Sequence, residues 1–226
     1  MKLKETIRVV SRNKLFYILD SNGKIKKFKP WLTCILSFIY DPIMEKSVFP
    51  KQFNGDISRH FEILKGEYKD LNRKNILEIA TGSGFSASLI DKDNSYTGID
   101  ISSGLLKLAR KRFIKAGFTD FEFYVADASD LPFSDYYFDI VICDLSLNFL
   151  GNIETFVKEI RRVMKKRSAF YCSVPLPERK NPKVVIHGNL STENELRTCF
   201  MEHGFNFIAK PYENGALLYF EAGLIS

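Results

Sequence analysis

The chain has 226 residues, a hydrophobic content of 45% and a mean hydropathy of -0.13. These values describe an ordinary globular protein with ample apolar material for a core, and they exclude a low-complexity chain. The length fits one core domain with an appendage. The longest apolar run, Trp31–Tyr40, is about half as long as a membrane span requires, so we expect a buried or interfacial helix there.

The net charge of +6 is concentrated at the N-terminus. Residues 1–30 contain nine lysines and arginines against Glu5 and Asp20, so the rest of the chain is nearly neutral. Such a basic arm could contact nucleic acid, an anionic membrane surface or an acidic substrate, and a solvated arm is the simpler interpretation. Met1–Ser11 has no apolar core of secretory-signal length, and the four cysteines form no C-x-x-C pair. We therefore expect a cytosolic protein with reduced cysteines.

The first 70 residues predict a small cap. Phe16–Leu19 and Ile25–Phe28 flank an Asn-Gly pair, which is typical of a tight hairpin. Helices are predicted from Pro30 to about Tyr40 and over Ile57–Tyr68. This segment has too little apolar surface to fold alone, so we expect residues 1–70 to cap a domain formed by residues 71–226.

The run Asn75–Gly84, N-I-L-E-I-A-T-G-S-G, combines an apolar strand, a carboxylate and a glycine turn. We predict a strand over Ile76–Ile79 and a helix beginning near Ser86. Taken alone, the glycine spacing also fits a dinucleotide-binding loop. Glu78 argues against a dinucleotide, because an unpaired carboxylate in a packed strand costs of the order of several kcal/mol. The ammonium and sulfonium of S-adenosylmethionine would stabilise it, and the alternative is a carboxylate that caps nearby amides.

Three further strands follow, and each is followed by an acid. Tyr96–Asp100 ends in Asp100, about 20 residues after the glycine turn, which is the spacing at which an acid reaches a ribose diol. Phe121–Val125 precedes Asp127, and Phe138–Cys143 precedes Asp144. Strands that alternate with helices predict a parallel sheet with helices on both faces.

The C-terminal third continues this alternation. A helix pattern from Phe156 to Met164 leads to a strand over Ala169–Val174. Thr192 begins a capping box for another helix, and Phe205–Ala209 and Ala216–Ala222 predict a terminal hairpin.

Four motifs occur in the order E-x-A-x-G-x-G, G-x-D, A-D-A-x-x-L-P-F and F-D-x-V. In this order they resemble the class I S-adenosylmethionine-dependent methyltransferases, closely over residues 70–175. The resemblance implies an α/β fold: a Rossmann-like, seven-stranded, mostly parallel sheet with helices on both faces and a terminal antiparallel hairpin. It also implies S-adenosylmethionine as the cofactor.

The resemblance assigns roles to particular residues. It places Glu78 on the methionine ammonium, Asp100 on the ribose hydroxyls, and Asp127 on the adenine amino group with the Ala128 amide facing the ring. The alternatives are structural: Asp100 as a cap of the helix near Ser102, and Asp127 as a solvated turn acid. The implied cofactor-binding residues are Tyr40, Glu78, Ala80, Thr81, Gly82, Gly84, Asp100, Ile101, Asp127, Ala128, Asp144 and Leu145.

Catalytic residues leave little trace in such a sequence. The cofactor supplies an activated methyl group, so the protein mainly aligns a nucleophile and excludes water. His187 and Asp144 are the candidates, His60 is interpreted as a packing residue, and no metal site is predicted. We expect a small-molecule acceptor methylated at O, N or C. The alternatives are an RNA or protein methyltransferase that uses the basic arm, and a non-catalytic cofactor-binding module.

Overall fold

The computed structural model describes residues 3–28 and 40–224, with Tyr40 described for its backbone alone. The predicted helix at 30–40 therefore lies almost entirely outside the described residues. The strands are β1 Val9–Arg12, β2 Leu15–Ile18, β3 Asn75–Ile79, β4 Ser95–Asp100, β5 Phe121–Val125, β6 Phe138–Asp144, β7 Met164–Pro175, β8 Phe205–Ala209 and β9 Leu217–Leu224. The α-helices are α1 Tyr40–Ile43, α2 Ile57–Tyr68, α3 Ser103–Ala116, α4 Ile153–Val163 and α5 Glu193–Glu202.

Within the described residues all of these strands form one sheet, in the order β1-β2-β5-β4-β3-β6-β7-β9-β8. Strands β2 to β7 run parallel, and β9 is antiparallel to both of its neighbours, β7 and β8. The mostly parallel α/β architecture and the terminal hairpin are thus confirmed. Strand β3 is followed in sequence by β4 on one side and is flanked by β6 on the other, which makes its carboxyl end a topological switch point.

The strand count and the N-terminal hairpin differ from the prediction. The described residues contain nine strands because β1 and β2 extend the sheet at the β5 edge, where Phe16 stacks on Tyr124 with ring centroids 4.8 Å apart. The hairpin turns at Asn13 and Lys14, whose positive φ angles of 52° and 60° suit a tight turn between antiparallel strands. The Asn-Gly segment makes only an isolated bridge between Leu19 and Ile25.

Helices pack on both faces of the sheet and divide the core into two layers. Apolar side chains of α2 and α3 pack on one face, and those of α4 and α5 pack on the other. The predicted inward positions of α3, from Leu105 to Phe113, are buried, and the Thr192–Glu195 capping box is present. The π-helix Met44–Phe53 follows α1 and lies with α2 on the first face.

The helix predicted near Ser86 is only the short 3₁₀ turn Phe85–Ser88. A second 3₁₀ turn, Leu147–Phe149, follows β6. No helix among residues 3–28 and 40–224 is long and apolar enough to cross a membrane. Cys143 and Cys172, which are paired in register on β6 and β7, are buried free thiols, and Cys199 is a half-buried one.

Candidate functional site: a cleft at the carboxyl ends of β3 and β6

A cleft of about 640 Å³, including its open mouth, lies where the carboxyl ends of β3 and β6 meet α2 and the π-helix. The sheet side supplies polar groups, and the helical side supplies apolar ones. The residues from the sheet side are Glu78, Ala80, Thr81, Gly82, Ser83, Phe85, Ser86, Leu89, Asp144, Leu145 and Ser146. Those from the helical side are Met44, Phe49, Ile57, His60, Phe61, Leu64 and Tyr68.

The glycine loop bends because its backbone is left-handed at three positions. Ala80, Gly82 and Gly84 have φ angles of 53°, 59° and 81°. A Cβ atom on Gly84 would lie 2.6 Å from Ala109 Cα, so this glycine lets the loop pack against α3. A Cβ on Gly82 would meet nothing nearer than Ala80 O at 3.8 Å, which leaves its side toward the cleft open for a ligand.

Glu78 is a buried carboxylate that faces this cleft. Its side chain is 6% exposed, and its Oε2 accepts hydrogen bonds from Ser86 Oγ, at 2.7 Å, and from the Tyr96 hydroxyl. Burial raises the pKa of Glu78 to about 7, although these two hydrogen bonds oppose the shift. Among the described residues no cationic side chain pairs with Glu78. A cationic ligand in the cleft is therefore the complementary partner of this carboxylate.

Asp100 lies beside the loop rather than among the residues that line the cleft. Its Oδ2 accepts from the Gly82 amide at 3.0 Å, and its Oδ1 accepts from the Ser102 amide at 2.7 Å. Burial raises the pKa of Asp100 to about 6, and the two amides oppose that shift. Asp100 thus stabilises the backbone just before α3, but the N-cap of that helix is Ser102, whose side chain accepts from the Leu105 amide. Each carboxylate oxygen still has a second acceptor site for a ribose hydroxyl.

Asp127 and Ala128 follow β5. Asp127 Oδ1 accepts from the amide and the hydroxyl of Ser129, at 2.9 and 2.8 Å, which is an Asx turn. Ala128 is buried, and Ile101, after β4, is half-buried. Neighbouring Asp130 is instead exposed and pairs with Lys4 and Lys26.

Asp144 is joined by a residue that the sequence interpretation missed. His60, from α2, is 1% exposed and lines the cleft with its Nε2 3.2 Å from Asp144 Oδ2. The Ser173 hydroxyl donates to Asp144 Oδ1. Leu145, the next residue, has a left-handed backbone with φ of 52°. The available signal for His60 was its position: it shares the buried face of α2 with Ile63 and Leu64, where a polar ring needs a partner.

The predicted residues that do not line the cleft are Gly84, Asp100, Ile101, Asp127, Ala128 and His187. The side chain of Tyr40 lies outside the described residues. His187 is exposed on the loop after β7 and is absent from the described cleft lining, and its carbonyl accepts from Asn148 Nδ2 at 2.7 Å. Among the described residues no group of three or more His, Cys, Asp or Glu side chains is placed to hold a metal ion.

Helix α1 contacts the glycine loop through Asp41, which accepts a hydrogen bond from Ser83 Oγ at 2.7 Å. Arg112, on α3, pairs with Asp41 of α1 and donates to Ser83 Oγ at 2.8 Å. Its guanidinium carbon lies 4.3 Å from the centre of the Phe85 ring. These contacts hold α1 against the loop at the mouth of the cleft.

Residues 77–172 match the sequence model of a family described as a methyltransferase domain. This segment runs from β3 to β7 and contains the glycine loop, Asp100, Asp127 and Asp144. An S-adenosylmethionine-dependent methyltransferase from Aquifex aeolicus has the same fold, with a TM-score of 0.63, 18% identity and coverage of 76% of this chain and 95% of that chain. Residues 77–172 are thus similar in sequence to methyltransferase domains, and the chain shares the fold of such an enzyme.

Over the aligned residues, curated relatives are about one third identical to this chain. The demethylmenaquinone methyltransferase of Thermotoga maritima is 32% identical over 111 residues, which are 48% of this chain and 46% of that protein. The fatty-acid O-methyltransferase of Mycolicibacterium smegmatis is 34% identical over 104 residues, which are 45% of this chain and 37% of that protein. The chain thus spans less than half the length of the curated relatives it matches.

Proposed function

We propose that the chain transfers a methyl group from S-adenosylmethionine to a small, largely apolar molecule, at an O, N or C atom. The observation that carries this proposal is the buried, cleft-facing carboxylate of Glu78 next to a glycine loop with an open side at Gly82. A dinucleotide would place its anionic pyrophosphate at such a loop, next to this carboxylate, whereas the methionine portion of S-adenosylmethionine has an ammonium group.

The residues around the loop fit the cofactor in the proposed roles. Glu78 would hold the ammonium, and the free acceptor sites of Asp100 would hold the ribose hydroxyls. Asp127 and the Ala128 amide would hold the adenine ring. The cofactor supplies an activated methyl group and a neutral leaving group. The protein has to orient the acceptor and exclude water, and Ala80, Thr81 and Leu145 shape the walls that do so.

The acceptor side of the cleft favours an apolar molecule. Met44, Phe49, Ile57, Phe61 and Leu64 line it from the π-helix and α2. Apolar and aromatic walls with a few polar groups are typical of small-molecule sites. The relatives named as acting on demethylmenaquinone and on fatty acids support the same class of acceptor.

The basic arm supplies weaker support for an RNA or protein substrate. Lys4 pairs with Asp130 and Glu159, and Lys26 pairs with Asp130, so part of its charge is used within the chain. Arg8 donates to the carbonyls of residues 20 and 21. We also propose a cytosolic location and a division of the chain into a cap of residues 1–70 and a domain of residues 71–226.

Two measurements test the proposed function. Isothermal titration should show micromolar binding of S-adenosylmethionine and S-adenosylhomocysteine and no binding of NAD. Incubation with methyl-labelled cofactor and an apolar metabolite extract should yield a labelled small product. Tight NAD binding would overturn the proposed cofactor. Label on RNA or protein, lost when residues 1–29 are deleted, would replace the small-molecule acceptor, and cofactor binding without any labelled product would favour a non-catalytic module.

A further inference from the structure

A chain of hydrogen bonds crosses the molecule from β9 to the cleft. Asn214 Nδ2 lies 3.1 Å from the Tyr219 hydroxyl, which lies 2.9 Å from His60 Nδ1, and His60 Nε2 lies 3.2 Å from Asp144 Oδ2. Three of its members, Asn214, Tyr219 and His60, are buried. Asp144 is its exposed end, since its side chain is 25% exposed and lines the cleft.

The direction of this chain follows from its first member. Asn214 Oδ1 accepts from the Asp56 amide at 2.7 Å and its Nδ2 donates to the Asp56 carbonyl at 3.0 Å, which fixes the orientation of the Asn214 side chain. The Tyr219 oxygen must therefore accept from Asn214 Nδ2, and its own hydrogen is directed to His60 Nδ1. A neutral imidazole then carries its proton on Nε2 and donates it to Asp144.

Asp144 is consequently the end point of two donors. His60 donates to Oδ2 and Ser173 donates to Oδ1, and these two hydrogen bonds hold the carboxyl group in one orientation. The other titratable groups that line the cleft are less suited to accept a proton from a substrate. Both ring nitrogens of His60 are engaged, Glu78 is assigned to the ammonium, and Tyr68 is buried.

We propose that Asp144 is the proton acceptor of the methyl transfer, oriented by His60 and Tyr219, and that the substrate presents an exchangeable O–H or N–H to it. A lone pair of the acceptor molecule forms the bond to the methyl carbon as the carbon–sulfur bond breaks. The electron pair of the broken carbon–sulfur bond stays on sulfur and cancels its positive charge, and the O–H or N–H proton of the acceptor molecule passes to Asp144. The proton leaves to solvent through the exposed side of the carboxylate. This inference rests on the proposed function and narrows its substrate class.

Sinefungin and S-adenosylhomocysteine test the position of Asp144 without a known substrate. Sinefungin carries a protonated amine where the transferred methyl group stands, and S-adenosylhomocysteine has no group there. An ionised acceptor at that point should make sinefungin bind about 10 to 100 times more tightly, the range for a hydrogen bond between charged groups. Asp144→Asn should remove that preference and leave the affinity for S-adenosylhomocysteine within about threefold.

Asp139→Asn is the matched control, because Asp139 lies at the opposite end of the same strand, where it pairs with Lys165. It should keep the preference for sinefungin. His60→Gln and Tyr219→Phe should lower the preference by smaller factors, in that order, since they act through the orientation of Asp144. A purely structural role would weaken both ligands equally in these variants.

The outcomes separate the two proposals. If neither ligand binds the wild-type protein, the proposed function fails. If both bind and Asp144→Asn leaves their affinity ratio unchanged, the assignment of Asp144 is wrong while the cofactor assignment stands. Should His60→Gln not fold, the comparison of Asp144→Asn with Tyr219→Phe still decides, because Tyr219 does not line the cleft.

Discussion

The two sides of the cleft are built in different ways. The proposed cofactor side comes from one short stretch, Glu78 to Ser86, together with the ends of the neighbouring strands. The proposed acceptor side depends on the hydrogen-bonded chain of Asp144 from β6, His60 from α2 and Tyr219 from β9, whose positions are up to 159 residues apart. A local motif can be identified from sequence because its spacing is fixed by one turn. The residues of the proposed acceptor side come close to one another only in the folded sheet, so their spacing in the sequence does not identify them.

The largest effect is expected from the two glycines of the cofactor side. Gly84→Ala would force a Cβ to within 2.6 Å of Ala109 Cα at a φ of 81°, so we expect a loss of about 3 kcal/mol or more in unfolding free energy. Gly82→Ala meets no such clash and should cost about 1 kcal/mol of backbone strain. Its methyl group should instead reduce cofactor affinity by at least about tenfold.

Denaturant unfolding and cofactor titration of both glycine variants measure these two effects. Equal stability losses, with equal affinities, would mean that the open side of Gly82 does not face the ligand.

The stability of the protein should depend on pH through Glu78. Its pKa is about 7 in the folded protein and 4.5 for an ordinary glutamate, so the folded state binds the proton more tightly. The associated stability is complete below about pH 4.5 and is lost as the pH rises to about 7, by of the order of 3 kcal/mol. Asp100, with a pKa of about 6, adds to the same trend. Melting curves without ligand should therefore shift downward between pH 5 and pH 7.5.

Glu78→Gln is the matched variant for this trend. The amide oxygen can still accept from Ser86 and Tyr96, so the variant should be more stable than the wild type at pH 7.5 and should show a weaker pH dependence. It should also bind S-adenosylhomocysteine at least about tenfold more weakly, because the ammonium loses its charged partner. An unchanged affinity would show that Glu78 serves the fold alone.

Asp100 distinguishes a ligand contact from a helix cap. Asp100→Ala should weaken cofactor binding by about 1.5–3 kcal/mol, since two buried ribose hydroxyls would lose a charged acceptor. It should also lower stability, because the Gly82 and Ser102 amides lose theirs. Ser102→Ala is the control: its hydroxyl caps α3 through the Leu105 amide, so stability should fall by about 1 kcal/mol without a change in affinity. If Asp100→Ala lowers the unfolding free energy but leaves the cofactor affinity unchanged, as Ser102→Ala should, Asp100 only stabilises the start of α3.

The sequence predicted the parts of this molecule that depend on local periodicity. Strand β5 and helix α2 have the predicted ends, and the glycine loop follows β3 as expected. The N-terminal hairpin was misplaced because Lys14, the second residue of its left-handed turn, is not a residue type that favours positive φ, whereas Asn22-Gly23 is the stronger hairpin signal. The role of His60 beside Asp144 was missed because it depends on a hydrogen bond to Tyr219, which in turn is bonded to Asn214. These residues come close to His60 only in the folded sheet.

The smallest effects compare strain on the two sides of the cleft. Ala80 follows β3 and Leu145 follows β6, and both are left-handed at positions where glycine has no steric penalty. Ala80→Gly should raise the unfolding free energy by up to about 1 kcal/mol, because the left-handed backbone costs an alanine about that much and costs a glycine almost nothing. Leu145→Gly gains the same relief but loses a leucine that packs against the core around α2, so its net effect should be destabilising. Urea unfolding of both variants checks the pair, and a loss of stability in Ala80→Gly would mean that its methyl group contributes packing that outweighs the strain.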